Sequence, residues 1–342
     1  MNLAKMALAA CLFAPSLPAA AETFDLQSVN ALNSPIIGQS PVNWADMVRT
    51  MTNGEVDVKV HGAGELVPPL EVLNMVSSGA IPMGYDWIGY WSDAMPTALL
   101  LASMPFGPTP EQAMGWMYAG GGMEILQKAY DPFNVKVIPC HIGLSEAAGW
   151  YNREINTIED FQGLKIRIAG LGAQVISRLG ASPQLLPAGE IYLSLETGRL
   201  DAAEFSMPLV DEGFGFQDVA DYYYFPGWHQ PSSWSSILIS MPVWDGFTSD
   251  QQTSMVDACR ANVMQSFGEQ LGAQVDALAR IEEAGAEIRN FSPEILDRLR
   301  EESIIVLEET AAGNELLSEA YASLKAYVEA TNGYTSLQSL GQ

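Results

Sequence analysis

The stretch from Asp250 to Glu283 contains no proline, opens on Ser249 with Gln252 in capping-box spacing, and is closed by Gly285. As a single helix, at roughly 1.5 Å per residue, it would be about 50 Å long. That exceeds one small domain, so the fold has to supply two lobes for such a helix to cross. The length of the chain, 342 residues, suits two domains better than a single core.

The rest of the sequence alternates between strand and helix periods. Thr23–Gln27 and Val56–Val60 alternate as half-buried strands, and between them Val42, Trp44, Met47, Val48 and Met51 fall near helical spacing. A short helix around Leu70–Val76, an apolar piece Ala80–Met83 and a strand at Ala98–Met104 follow. A second series begins at Val135–Cys140 and continues through strand Lys165–Ile168, helix Ala173–Leu179, strand Gln184–Leu186 and helix Glu190–Glu196. Such alternation predicts two α/β domains, each a sheet covered by helices. Ser292-Pro293 starts a further helix, and beyond Gly313-Asn314 the residues Leu317, Tyr321, Leu324 and Val328 lie on one stripe. A stripe so far along the chain has little core of its own, and it predicts a homodimer through the C-terminal helix.

The N-terminus reads as an export signal. Lys5 precedes an apolar run from Met6 to Leu17, and Ala19 and Ala21 supply the small residues of a cleavage site between Ala21 and Glu22. Leu8-Ala9-Ala10-Cys11 has the letters of a lipoprotein signal, but cleavage there leaves too short an apolar region. The expected location is the periplasm.

A formal net charge of −25 with no cluster of Lys or Arg lacks the electrostatic footprint of nucleic-acid or anionic-membrane binding. An anionic ligand must therefore be held by a local device. After the leader, two cysteines remain, Cys140 and Cys259; they read as two buried free thiols, although export permits a disulfide.

No nucleophile elbow, zincin helix, phosphate-binding loop or zinc-spaced cysteine set is present, and His61, His141 and His229 are scattered. Gly170-Leu171-Gly172 half-matches a dinucleotide fingerprint but has Val175 at the third glycine position. Tyr85, Trp87, Tyr90 and Trp91, with Asp86 among them, form a dense amphipathic cluster that suits a pocket wall as well as a core.

Trp150-Tyr151-Asn152-Arg153-Glu154-Ile155 and Ile158-Glu159-Asp160-Phe161-Gln162-Gly163-Leu164-Lys165-Ile166-Arg167 closely resemble the signature of the DctP-type periplasmic solute-binding proteins of TRAP transporters. The likeness continues through Leu179–Pro183, Glu190–Tyr192, Leu195–Gly198, Asp201–Glu204 and Asp221–Trp228, and upstream through Trp116–Gly122. It is strongest to the branch that takes 2-oxo acids and lactate-like monocarboxylates.

The resemblance implies a two-domain periplasmic-binding-protein fold of the TRAP type with a long domain-spanning helix. Domain 1 would comprise 22–147 and 236–284, and domain 2 would comprise 148–235 and 285–342. It implies a receptor, not an enzyme, that captures a small carboxylate and hands it to a membrane permease. Arg167 occupies the position of the arginine that clamps the ligand carboxylate. Glu146, Trp150, Glu204, Phe205 and Gln230 join it as ligand contacts, with Tyr85, Trp87, Tyr90 and Trp91 covering the remainder.

A sodium or calcium ion would be held by Glu204, the Phe205 carbonyl, Gln230 and Glu146. Three positions depart from the branch as the resemblance aligns it: Glu146 stands for a glutamine, Gln230 for a glutamate, and Phe205 for a tryptophan. The first two move one charge in opposite directions, so the formal charge of the site is kept. An exported enzyme using Glu146 or Glu204 as a base is the alternative from another class.

Overall fold

The computed structural model describes residues 22–338, so the leader read over Met1–Ala21 lies outside the described residues. Among the described residues eleven strands form two sheets: β1 (Glu22–Ser28), β2 (Val56–His61), β3 (Met83–Trp87), β4 (Val135–Gly143), β5 (Gly149–Tyr151), β6 (Lys165–Arg167), β7 (Ser182–Gln184), β8 (Ala202–Ala203), β9 (Tyr222–Phe225), β10 (Ser233–Ser240) and β11 (Glu287–Asn290). The first sheet has the order β2-β1-β3-β10-β4 and the second β11-β9-β5-β8-β6-β7. β1 runs parallel to β2 and β3, with β10 antiparallel to both β3 and β4.

The chain passes from the first sheet to the second between β4 and β5, and returns between β9 and β10. The long helix, Ser249–Glu283, passes over both sets of elements. Near its start it packs on β4 and on the helix Ser40–Met51. Towards its end Gln274 accepts from the Leu209 N–H at 2.9 Å, and Arg280 pairs with Glu212 at 2.5 Å, both contacts reaching the helix Pro208–Gly213 beside the second sheet. Its cap is one residue earlier than the spacing suggested. Thr248 accepts from the Gln251 N–H at 3.3 Å, and the Gln251 side chain accepts from the Thr248 N–H at 3.0 Å.

Three expectations are corrected. Ala98–Ala102 is a helix and not a strand; all five of its residues are buried, so its apolar run carries no period to tell the two apart. The strand expected over Gln184–Leu186 is β7, ending at Gln184. Cys140 and Cys259 are bonded as a disulfide, because the long helix crosses β4 with the two Cα atoms 4.3 Å apart.

The C-terminal helix Glu315–Leu337 packs on the helices Ala98–Ala102, Pro110–Ala119 and Gly122–Tyr130. Leu317 and Leu324 are buried there, Tyr321 and Val328 partly so, and Trp116 donates to Ser323 at 3.1 Å. The stripe that suggested a dimer is thus covered from within the chain.

Candidate functional site

Arg167 ends β6, and Glu204 immediately follows β8, its parallel neighbour. The Glu204 N–H donates to the Arg167 carbonyl at 2.8 Å, which places both side chains at the carboxyl ends of adjacent strands, where open α/β sheets bind ligands. Arg167 is only 2% exposed. Its Nε donates to the Leu186 carbonyl at 3.2 Å, and Nη1 donates to the Glu204 carbonyl at 2.5 Å and to Glu204 Oε2 at 3.1 Å. The guanidinium also lies 5.1 Å from the centre of the Phe205 ring.

The two passages between the sheets supply the rest. Glu146 lies on the outward passage, and His229 and Gln230 lie on the return. Gln230 donates to Glu146 Oε1 at 2.6 Å. His229 Nε2 stands 3.1 Å from Glu204 Oε1 and 3.6 Å from Glu146 Oε2, between the two carboxylates. Gly227 allows the passages to touch: a Cβ there would meet the Glu146 carbonyl oxygen at 2.0 Å.

All four charged groups are buried, so each carries a large desolvation cost and depends on its neighbours. Burial would raise Glu204, but the charges of His229 and Arg167 hold it below the usual carboxylate range. Burial pushes Glu146 upward, against the pull of His229. Burial would lower His229; the two carboxylates keep it raised, as an imidazolium. Arg167 and His229 thus provide two positive charges to Glu204 and, when ionised, Glu146.

Arg167, Glu204, Glu146 and Gln230 line one cavity, together with Asn30, Trp87, Tyr90, His141, Ser233 and Ser235 from the first sheet side; it leaves about 50 Å³ of free space. Of the residues read from the sequence, Arg167, Glu146, Glu204, Phe205, Gln230, Trp87 and Tyr90 line it.

Tyr85, Trp91 and Trp150 do not. Tyr85 is fully buried in the core under the long helix. Trp91 donates to Asp86, and Trp150 stacks on Tyr223 at 4.0 Å and donates to Asp211 at 3.1 Å. Tyr85 and Trp91 turn away because Met83–Trp87 is a strand followed by a 3₁₀ turn, and Trp150, on β5, is packed into the core beneath the second sheet. Of the histidines set aside as scattered, His229 joins the two carboxylates and His141 lines the cavity, whereas His61 sits apart with Asp25 and Glu65. Neither histidine carries a local motif; only the fold brings them in.

The donor set suits a hard cation. Glu146 Oε2 is buried without a hydrogen-bond partner, and Glu146 and Glu204 each offer an oxygen within 4.8 Å of the other; His229, as an imidazolium, has no lone pair to add. Gln230 uses its amide N–H on Glu146 and keeps its carbonyl oxygen.

The family described as bacterial extracellular solute-binding protein, family 7 (DctP) matches residues 26–314. The chain belongs to that family. Its members are the solute receptors of TRAP transporters, and the two-sheet α/β fold and long helix are theirs. The chain is 35% identical to the monocarboxylate 2-oxoacid-binding periplasmic protein of Nostoc sp. over 283 residues, 83% of this chain and 78% of that one.

Two solved family members superpose well. The TRAP solute-binding protein of Colwellia psychrerythraea, with bound calcium and pyruvate, is 29% identical with a TM-score of 0.89, covering 93% of this chain and 97% of that one. The one from Pseudoalteromonas atlantica, with bound sodium and pyruvate, is 30% identical with a TM-score of 0.88 and the same coverage.

Proposed function

We propose that this chain receives a 2-oxo or hydroxy monocarboxylate in the cavity between its two sheets and delivers it unchanged to a TRAP membrane permease. The observation that carries this reading is Arg167: a buried guanidinium at the cavity wall, with Nε and Nη1 held by the protein. An arginine so fixed offers its remaining donors to an anion without losing the entropy of a free side chain.

The charges favour a single carboxylate. With Glu146 ionised, two cationic and two anionic side chains balance, and a ligand anion leaves one negative charge in excess. Sodium or calcium, held by Glu146, Gln230, Glu204 and the Phe205 carbonyl, would offset that charge beside the ligand. The lobes are taken as 22–147 with 236–284, and 148–235 with 285–342, the helix Glu315–Leu337 returning to pack on the first lobe, and they close on the ligand by hinge motion. The leader would be removed between Ala21 and Glu22 on export.

Calorimetry with pyruvate, in calcium and again after exhaustive chelation, tests the reading. Stoichiometric binding that weakens without metal, with pyruvate recovered unchanged, is the expected result. Turnover of the acid, or no binding of any small monocarboxylate, would overturn it.

A further inference from the structure

We propose that the first-sheet wall of the cavity is a second binding position, for an uncharged hydrogen-bonding group on the ligand: a hydroxyl or carboxamide received by His141, Trp87 and Ser235. The inference deepens the reading above and rests on it, since the carboxylate end is taken to be held at Arg167 on the second sheet.

Trp87, Ser235 and His141 lie directly opposite one another on β3, β10 and β4. Residues so paired share one face of a sheet, and all three line the cavity. Both ring nitrogens of His141, which is 2% exposed, are buried with no partner, and so is the Trp87 indole N–H. Buried polar atoms in native proteins are nearly always paired, so three orphans in one row facing a cavity mark where a ligand's polar atoms belong.

Their chemistry restricts the ligand. Burial pushes His141 down to about 4, so it is neutral, with one N–H donor and one acceptor nitrogen. The Trp87 indole adds only a donor. The complement is a group that both accepts and donates, which a hydroxyl or a carboxamide does and a methyl group does not. A second carboxylate could accept but not donate, and no Lys, Arg or imidazolium lies on this wall to offset its charge. Pyruvate, held by its carboxylate at Arg167, has no uncharged group that both donates and accepts to offer these atoms. The ligand is therefore a 2-oxo or hydroxy monocarboxylate extended by a neutral polar tail.

The test is calorimetry on the whole mature protein in calcium with pyruvate, 2-oxobutanoate, 4-hydroxy-2-oxobutanoate, 2-oxoglutaramate and 2-oxoglutarate. At least one of the hydroxyl- and amide-tailed acids should bind tenfold or more tightly than pyruvate, 2-oxobutanoate and 2-oxoglutarate. In His141→Phe the ratio of tailed-acid to pyruvate affinity should fall to within threefold of one. If His141→Phe does not fold, Trp87→Phe, at a half-buried position, removes one donor and should reduce the advantage in the same way.

Tailed acids binding no better than pyruvate, or an advantage that survives the substitution, would overturn this inference and leave Arg167 as carboxylate site intact. No acid binding at all would instead remove the reading on which it stands.

Discussion

Gln230 and Glu146 are joined twice: the Gln230 side chain donates to Glu146 Oε1 at 2.6 Å, and the Glu146 N–H donates to the Gln230 carbonyl at 3.2 Å. These are the two residues at which the resemblance to the 2-oxo acid receptors places departures of opposite charge. Because they touch, a carboxylate moved from one to the other stays within the same hydrogen bond, and the charge facing His229 and the ligand is kept. Glu146→Gln removes that charge, and Gln230→Glu sets two buried carboxylates against each other. Each single change should weaken carboxylate binding by about tenfold, or roughly 1.4 kcal/mol. The double exchange should return to within about threefold of the unmodified protein. Additive losses in calorimetry would show that the pair is not a unit.

Gly227 should tolerate no side chain. Its substitution by alanine sets a Cβ against the Glu146 carbonyl, so the two passages must part, at about 1–3 kcal/mol of stability by the usual cost of overpacking. Urea denaturation measures the loss, and ligand affinity should fall with it. An unchanged midpoint would contradict the contact.

Asp211 gives the fold a pH dependence. It accepts from Trp150 at 3.1 Å and Tyr223 at 2.9 Å, and burial pushes it up to about 7. The folded state therefore holds a proton that the unfolded chain releases near pH 4. The contribution is fully present below about pH 4 and is lost as the pH rises to 7, with a slope of up to about 1.4 kcal/mol per pH unit. Asp211→Asn should gain on the unmodified protein progressively across that window. Parallel stability curves from pH 4 to 7 would contradict the assignment.

The disulfide ties β4 to the long helix across 119 residues of sequence. Closing a loop of that order restricts the unfolded chain, and Cys140→Ser with Cys259→Ser should cost about 2–5 kcal/mol. Chemical denaturation of the double variant beside the oxidised protein is the check; equal stabilities would contradict it.

The architecture was largely legible because it rests on local periods. The strands at Val56–Val60 and Lys165–Ile168 and the domain-crossing helix follow from alternation, caps and the absence of proline. Arg167 was legible through its motif, and its place at a strand end explains why the motif has that form. Ala98–Ala102 was misread because a fully buried apolar run has no period. Tyr85 and Trp91 were misread because they were taken as one stripe, although a strand and then a turn send them into separate cores. His141 and His229 had no local signal. The first enters through a strand register and the second through a passage between sheets, and both are products of topology.

In the proposed receptor Arg167 clamps a desolvated carboxylate, and calorimetry of pyruvate binding to folded Arg167→Ala reads the clamp. The variant should lose roughly 2–5 kcal/mol, about 30-fold to several thousand-fold, because the anion would be left without its partner in a buried site. Affinity within about threefold of the unmodified protein, under ~1 kcal/mol, would mean that Arg167 is paired only for structure and holds no ligand.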